Sequence, residues 1–150
     1  MELLLWRHAE AIDGTPDAER PLSDRGHRQA RRMAAWLERN QPDALQVIAS
    51  PALRTRMTAD ALTRDYRVDE RLGTAASAAD LMAAAGWPHG TGAVLIVGHQ
   101  PTLGELAALL LTGEPSGWSV KKGALWWFRS RIRDHRTEVV LRAVLPAELC

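Results

Sequence analysis

Short runs of consecutive apolar residues alternate along this chain with longer stretches in which apolar positions recur every three or four residues. The first pattern marks strands buried on both faces, and the second marks amphipathic helices. Leu3-Leu4-Leu5-Trp6, Leu45-Gln46-Val47-Ile48-Ala49 and Val94-Leu95-Ile96-Val97 are the best strands, with Ala124 to Phe128 and Val139 to Val144 as two later ones. Tyr66-Arg67-Val68 reads as a short edge strand. Ser23 is placed to cap a helix running to about Arg39, because Ala30, Met33, Ala34 and Leu37 keep the i, i+3, i+4, i+7 spacing. Ser50-Pro51 reads as an N-cap followed by proline at the first position of a helix to about Arg64, with Leu53, Met57, Ala61 and Leu62 inward. A third helix begins near Pro101 and turns Leu103, Leu106, Ala107, Leu110 and Leu111 to one face, and a weaker one covers Ala78 to Ala85. This alternation predicts an α/β fold with a largely parallel sheet. No repeat, low-complexity tract or linker divides the chain, so residues 1–150 are expected to form a single domain. The polar, turn-rich stretch from Glu10 to Leu22 is a loop long enough to suggest a function.

Composition narrows the classes. A chain of 150 residues can bury one substantial core without disulfides or metals. Nothing approaches the roughly 18 consecutive apolar residues of a membrane helix. The run that opens at Met1 is too short for a signal peptide and lacks a basic flank and a cleavage site, so a cytoplasmic protein is expected. The lone Cys150 can form no internal disulfide and no cysteine-based metal site. A net charge of +1 argues against a nucleic-acid binder. Arg25, Arg28, Arg31 and Arg32, and Arg129, Arg131, Arg133 and Arg136, cluster locally, and each group reads as a solvated face.

The residues that follow the three best strands carry the chemistry. They are Arg7-His8, then Ser50-Pro51-Ala52-Leu53-Arg54, then Gly98-His99-Gln100-Pro101. Ligands of an open parallel sheet sit beyond the carboxyl ends of its strands. If these strands are parallel, Arg7, His8, Arg54 and His99 meet at one crevice. Two guanidiniums can clamp phosphate oxygens, one neutral imidazole can attack phosphorus, and a second can donate to the charge that builds on the equatorial oxygens. A metal held by His8 and His99 would have no third ligand and would face two arginines. Ser50 lacks the Gly-x-Ser-x-Gly surroundings of a nucleophilic serine.

These residues also carry a resemblance. Arg7-His8-Ala9-Glu10-Ala11 resembles the Arg-His-Gly signature of the histidine phosphatase superfamily, which includes the cofactor-dependent phosphoglycerate mutases. Ser50-Pro51-Ala52-Leu53-Arg54 resembles its Ser-Pro-x-x-Arg, and Val97-Gly98-His99-Gln100-Pro101 its second-histidine motif. Pro21-Leu22-Ser23-Asp24-Arg25-Gly26 with Gln29-Ala30 is similar to the stretch ahead of the family's first helix. Length and the segment Lys121 to Trp126 look most like the small bacterial phosphohistidine phosphatases of the SixA type. The resemblance implies a three-layer α/β/α sandwich. It implies His8 as the phosphorylated nucleophile, with Arg7, Arg54 and His99 completing the phosphate pocket and Lys121 or Lys122 in reach of it. No cofactor is expected, and the chain is expected to be a monomer or weak dimer.

Two departures from the family pattern stand out. Ala9 replaces the signature glycine, and Gly73-Thr74 stand where an acid for the leaving group is expected. Glu10, Asp13 and Glu70 remain candidates for that acid, Glu10 first. Alkoxide leaving groups need protonation, whereas an imidazole, with a pKa of about 6.5, leaves readily once its ring is protonated. The expected substrate is therefore a protein-borne phosphohistidine. A small phosphate ester at the same site, and a binding module with little turnover, are the alternatives. Trp87 and Trp118 lie in loops that could flank a substrate.

Overall fold

The computed structural model describes residues 1–150. Strand β1 (Glu2–Arg7) leads through a long loop to helix α1 (Asp24–Asn40), and β2 (Leu45–Ala49) follows, then α2 (Leu53–Asp60). A two-residue strand β3 (Arg67–Val68), helix α3 (Ala78–Ala85), strand β4 (Ala93–Gly98) and helix α4 (Thr102–Thr112) come next. The chain finishes on a hairpin of β5 (Leu125–Arg133) and β6 (Arg136–Leu145). The six strands form one sheet in the order β3-β2-β4-β1-β5-β6. The first four are mutually parallel, and the hairpin adds two antiparallel strands beside β1.

The strand residues divide by parity, as a pleated sheet covered on both faces requires. Leu3, Leu5, Ile48, Val94, Ile96 and Phe128 pack with Leu81, Leu103 and Leu106 of α3 and α4. Leu4, Trp6, Val47, Leu95, Val97 and Trp127 pack with Met33, Ala34 and Leu37 of α1 and Ala59 of α2. The result is the expected three-layer α/β/α sandwich. Leu3, Leu4, Leu5 and Trp6 are fully buried, which accounts for the uninterrupted apolar run at the start of the chain. No helix is long and apolar enough to cross a membrane.

Helix α1 starts where the pattern places it, with Gly26 N–H donating to the Ser23 hydroxyl at 3.0 Å. Helix α3 opens with a capping box between Ser77 and Asp80. Helix α2 corrects the sequence reading. It begins at Leu53 after an Ala52 cap, ends at Asp60 rather than Arg64, and buries Arg54, Thr55, Thr58 and Ala59. Leu53, Met57, Ala61 and Leu62 are half-buried at its flank. The apolar periodicity misleads here because the inward face must present Arg54 to the site, and Thr58 satisfies main chain beneath it. Helix α4 begins at Thr102 with Pro101 at its cap, where the pattern places it. The basic clusters lie on the outer face of α1 and on the hairpin, exposed as expected.

Candidate functional site

Pairing registers align Trp6 with Val97 and Val97 with Ala49, so β1, β4 and β2 end at one level. The next residues along each strand are therefore Arg7-His8, Gly98-His99 and Ser50. Together with Arg54 from the first turn of α2, they converge as the strand positions require. The rings of His8 and His99 lie 5.3 Å apart. Both are buried, as is Arg54, and Arg7 is half-buried.

The main chain around His8 is tied from several sides. His8 N–H donates to Gly98 O, Ala9 N–H donates to the Thr58 hydroxyl, and Gly123 N–H reaches the carbonyls of Arg7 and His8. The Thr58 hydroxyl in turn donates to Arg54 O at 2.7 Å. The His8 ring is set by its own chain: Nδ1 lies 2.8 Å from Ala9 O. A carbonyl oxygen can only accept, so Nδ1 carries the proton and Nε2 keeps its lone pair. Burial, reinforced by His99 and by the positive charges of Arg54 and Arg7, pushes His8 down to about 3. The ring is therefore neutral near pH 7, the form that can attack phosphorus.

His99 is set by a neighbour that the sequence reading assigned elsewhere. Its Nε2 lies 2.7 Å from Ser50 Oγ, and that oxygen accepts from Ala52 N–H. Ser50 has no other acceptor for its hydrogen, which assigns it as donor to Nε2 and leaves the proton of His99 on Nδ1. That nitrogen is buried with no partner in the protein. Burial and Arg54 together hold His99 at about 4, so it is a neutral donor. Ser50 is thus a site residue, correcting its reading as the cap of α2. The signal was its identity at the end of a strand facing a histidine, which a Ser-Pro reading concealed.

The arginines are similarly poised. Arg7 spends one N–H on Val120 O at 2.8 Å, and its Nε is buried without a partner. Arg54 gives two N–H groups to Asp17, one to the carbonyl at 2.9 Å and one to the carboxylate at 3.1 Å. Its Nε is buried and unpartnered, so three of its five N–H groups remain. Four unused N–H groups on Arg7, three on Arg54 and Nδ1–H of His99 give a dense set of donors for a tetrahedral oxyanion.

Asp17 was not singled out from the sequence. It lies in the Glu10 to Leu22 loop, whose ends are zipped by Ile12 N–H to Pro21 O and Ser23 N–H to Glu10 O. A buried arginine requires a partner, and a search for one among nearby acids could have pointed to this loop. Arg20 holds the other side of the Asp17 carboxylate at 3.1 Å. These contacts, Arg20 first and then Arg54, keep Asp17 below the ordinary carboxylate range.

The remaining candidates are placed as follows. Glu10 is held by the Ser23 hydroxyl at 2.8 Å and faces Arg25 at 3.8 Å, serving the start of α1. Asp13 is fully exposed beside Arg20, and Glu70 is exposed on the turn after β3. Lys121 and Lys122 are exposed on the turn that Gly123 ties to β1. Trp118 packs against Trp126, and Trp87 against the α3–α4 core, so both are committed to packing. Ala9 is buried among α1 and β-strand side chains without positive φ, so the missing glycine costs the backbone nothing. No group of three or more His, Cys, Asp or Glu side chains is placed to hold a metal ion. A surface cleft at the opposite end of β2 is lined by Glu38, Asp43 and Asp65 and carries no basic side chain.

The family model for the histidine phosphatase superfamily (branch 1) matches residues 3–74. The phosphohistidine phosphatase SixA of Escherichia coli is 28% identical over 123 residues, covering 76% of each chain. An uncharacterised Mycobacterium tuberculosis protein is 35% identical over 108 residues, 69% of this chain and 68% of that one. The solved structure of the protein histidine phosphatase SixA complexed with tungstate superposes with a TM-score of 0.76 at 25% identity, over 98% of this chain and 97% of that one. Matched in sequence along its first half and in fold along nearly all of its length, the chain belongs to the histidine phosphatase superfamily.

Proposed function

We propose that this protein removes the phosphoryl group from phosphohistidine on a signalling protein, passing it through His8. The observation that carries the reading is the Nδ1–H···Ala9 O bond, which leaves Nε2 of a buried ring unprotonated beside His99, Arg54 and Arg7. In the first step Nε2 attacks phosphorus and the P–N bond of the substrate breaks, its electron pair returning to the leaving imidazole. A substrate ring already protonated on its second nitrogen departs neutral, so no acid need protonate the leaving atom. Arg7, Arg54 and His99 Nδ1–H stabilise the charge on the transferring group. Water then attacks the phosphorylated His8, and orthophosphate leaves.

The carboxylates favour this substrate over an alkyl ester. Glu10 is engaged by Ser23 and Arg25 at the start of α1, and Asp17 is held below the ordinary carboxylate range by Arg20 and Arg54, so Asp17 is not a ready proton donor. Similarity to the Escherichia coli phosphohistidine phosphatase SixA supports the same class.

The test is phosphate release at neutral pH from a phosphohistidine peptide and, in parallel, from a simple alkyl phosphate. Wild type should release phosphate preferentially from the peptide, and His8→Ala should release none from either. Substantial activity in His8→Ala would overturn the nucleophile, and faster turnover of the alkyl phosphate would overturn the substrate class.

A further inference from the structure

Asp17 poses a problem for a phosphate site. An ionised carboxylate 3.1 Å from the guanidinium of Arg54 sets a negative charge at the edge of the place where a dianion binds. The side chain is more than half exposed, so it is not a buried counter-ion hidden from substrate. Its field reaches His99 as well, where it opposes the effect of the arginines. Arg20, which also donates to Ile12 O, fixes the carboxylate from the other side, and the zipped ends of the loop hold the Asp17–Glu19 turn in place. The chain thus builds a three-part support to keep an acid against one of its phosphate-clamping residues.

Such an acid weakens the binding of any bare phosphate or phosphate ester by like-charge repulsion. It favours a substrate whose leaving group carries a proton donor of its own. Phosphohistidine does so, because the second ring nitrogen carries an N–H when the imidazole is protonated. Three N–H groups of Arg54 stay free for the phosphoryl oxygens while Asp17 occupies two, so both can be engaged together.

We propose that Asp17 is a specificity-determining residue, whose carboxylate on Arg54 accepts a hydrogen bond from the ring N–H of a phosphohistidine substrate and disfavours phosphate esters. When the P–N bond breaks, the electron pair goes to the leaving nitrogen. The proton on the other nitrogen stays where it is, and Asp17 stabilises the protonated ring without exchanging a proton. This inference rests on the phosphohistidine reading above.

The experiment compares wild type with Asp17→Asn, which keeps the shape and acceptor oxygen but not the charge, and with Asp17→Ala. Two readouts are taken: tungstate affinity by calorimetry, and kcat/KM for a phosphohistidine peptide against p-nitrophenyl phosphate, whose leaving group offers no N–H. Asp17→Asn should bind tungstate several-fold more tightly. The peptide-to-aryl ratio of kcat/KM should fall about tenfold or more in Asp17→Asn and further in Asp17→Ala. Unchanged tungstate affinity, or equal changes with both substrates, would overturn the role of Asp17 while leaving the substrate class intact. A wild type that cleaves p-nitrophenyl phosphate but not the peptide would overturn the substrate class, and this inference with it.

Discussion

At the residue scale, the site depends on protons placed by single hydrogen bonds. Ala9 O decides which nitrogen of His8 is bare, and Ser50 decides which nitrogen of His99 donates. Ser50→Ala removes the bond that sets the His99 tautomer and leaves the fold of β2 in place. A loss of roughly tenfold to a hundredfold in kcat is expected, with a smaller change in KM; a change confined to KM would assign Ser50 to binding alone. Arg54→Ala removes a preorganised donor set and should cost about 3–4 kcal/mol of transition-state stabilisation, read as the ratio of kcat/KM values. The imidazoles should also be visible directly. Nitrogen-15 NMR of labelled histidines should show two rings that stay neutral well below the ordinary midpoint near 6.5, since burial depresses both, reinforced by His99 and the arginines at His8 and by the arginines at His99. Two midpoints near 6.5 would contradict the buried, cation-flanked environment.

At the element scale, the strand-to-helix turns were readable in advance and the contents of one helix were not. Leu3–Trp6 and Val94–Val97 are apolar on both faces, as strands sandwiched between two helix layers are written. His8, Arg7, Arg54 and His99 could be brought together from strand ends alone. Helix α2 defeated the same reasoning because its inward side is polar, with Arg54 and Thr58 buried for the sake of the site. Asp17 and Ser50 were missed because a long-range pairing, not local pattern, gives each its role. The entry of α1 makes a further demand that periodicity does not express. A Cβ on Gly26 would collide with the Glu10 carbonyl, so the helix can approach the residue after Ala9 only with glycine there. Gly26→Ala should therefore destabilise by about 1–3 kcal/mol through overpacking, measured by urea unfolding. Ser23→Ala, which removes the cap and the partner of Glu10, should cost about 1 kcal/mol.

At the scale of the whole molecule, the neutral histidines link the site to stability. The unfolded chain protonates each ring near pH 6.5, while the folded chain resists until about 3 for His8 and about 4 for His99. Between those limits the unfolded state binds more protons, so stability is complete above about pH 6.5 and falls as the solution is acidified. Each ring contributes roughly 2 kcal/mol to that loss by pH 5. His8→Asn should accordingly lose less of its denaturation midpoint than wild type between pH 7.5 and 5. An equal loss would remove His8 from the account.

Arg7, His8, Arg54 and His99 all precede the exposed segment Glu114-Pro115-Ser116-Gly117, while the hairpin that flanks β1 follows it. A chain severed there would yield one piece holding all four of those residues and another holding none. Yet the first piece would lack both the neighbour that completes its central strand and the Gly123 amide that pins the carbonyls of Arg7 and His8. Mixing the two pieces would make recovered turnover a direct gauge of their docking, so this small enzyme already has the layout of a split reporter.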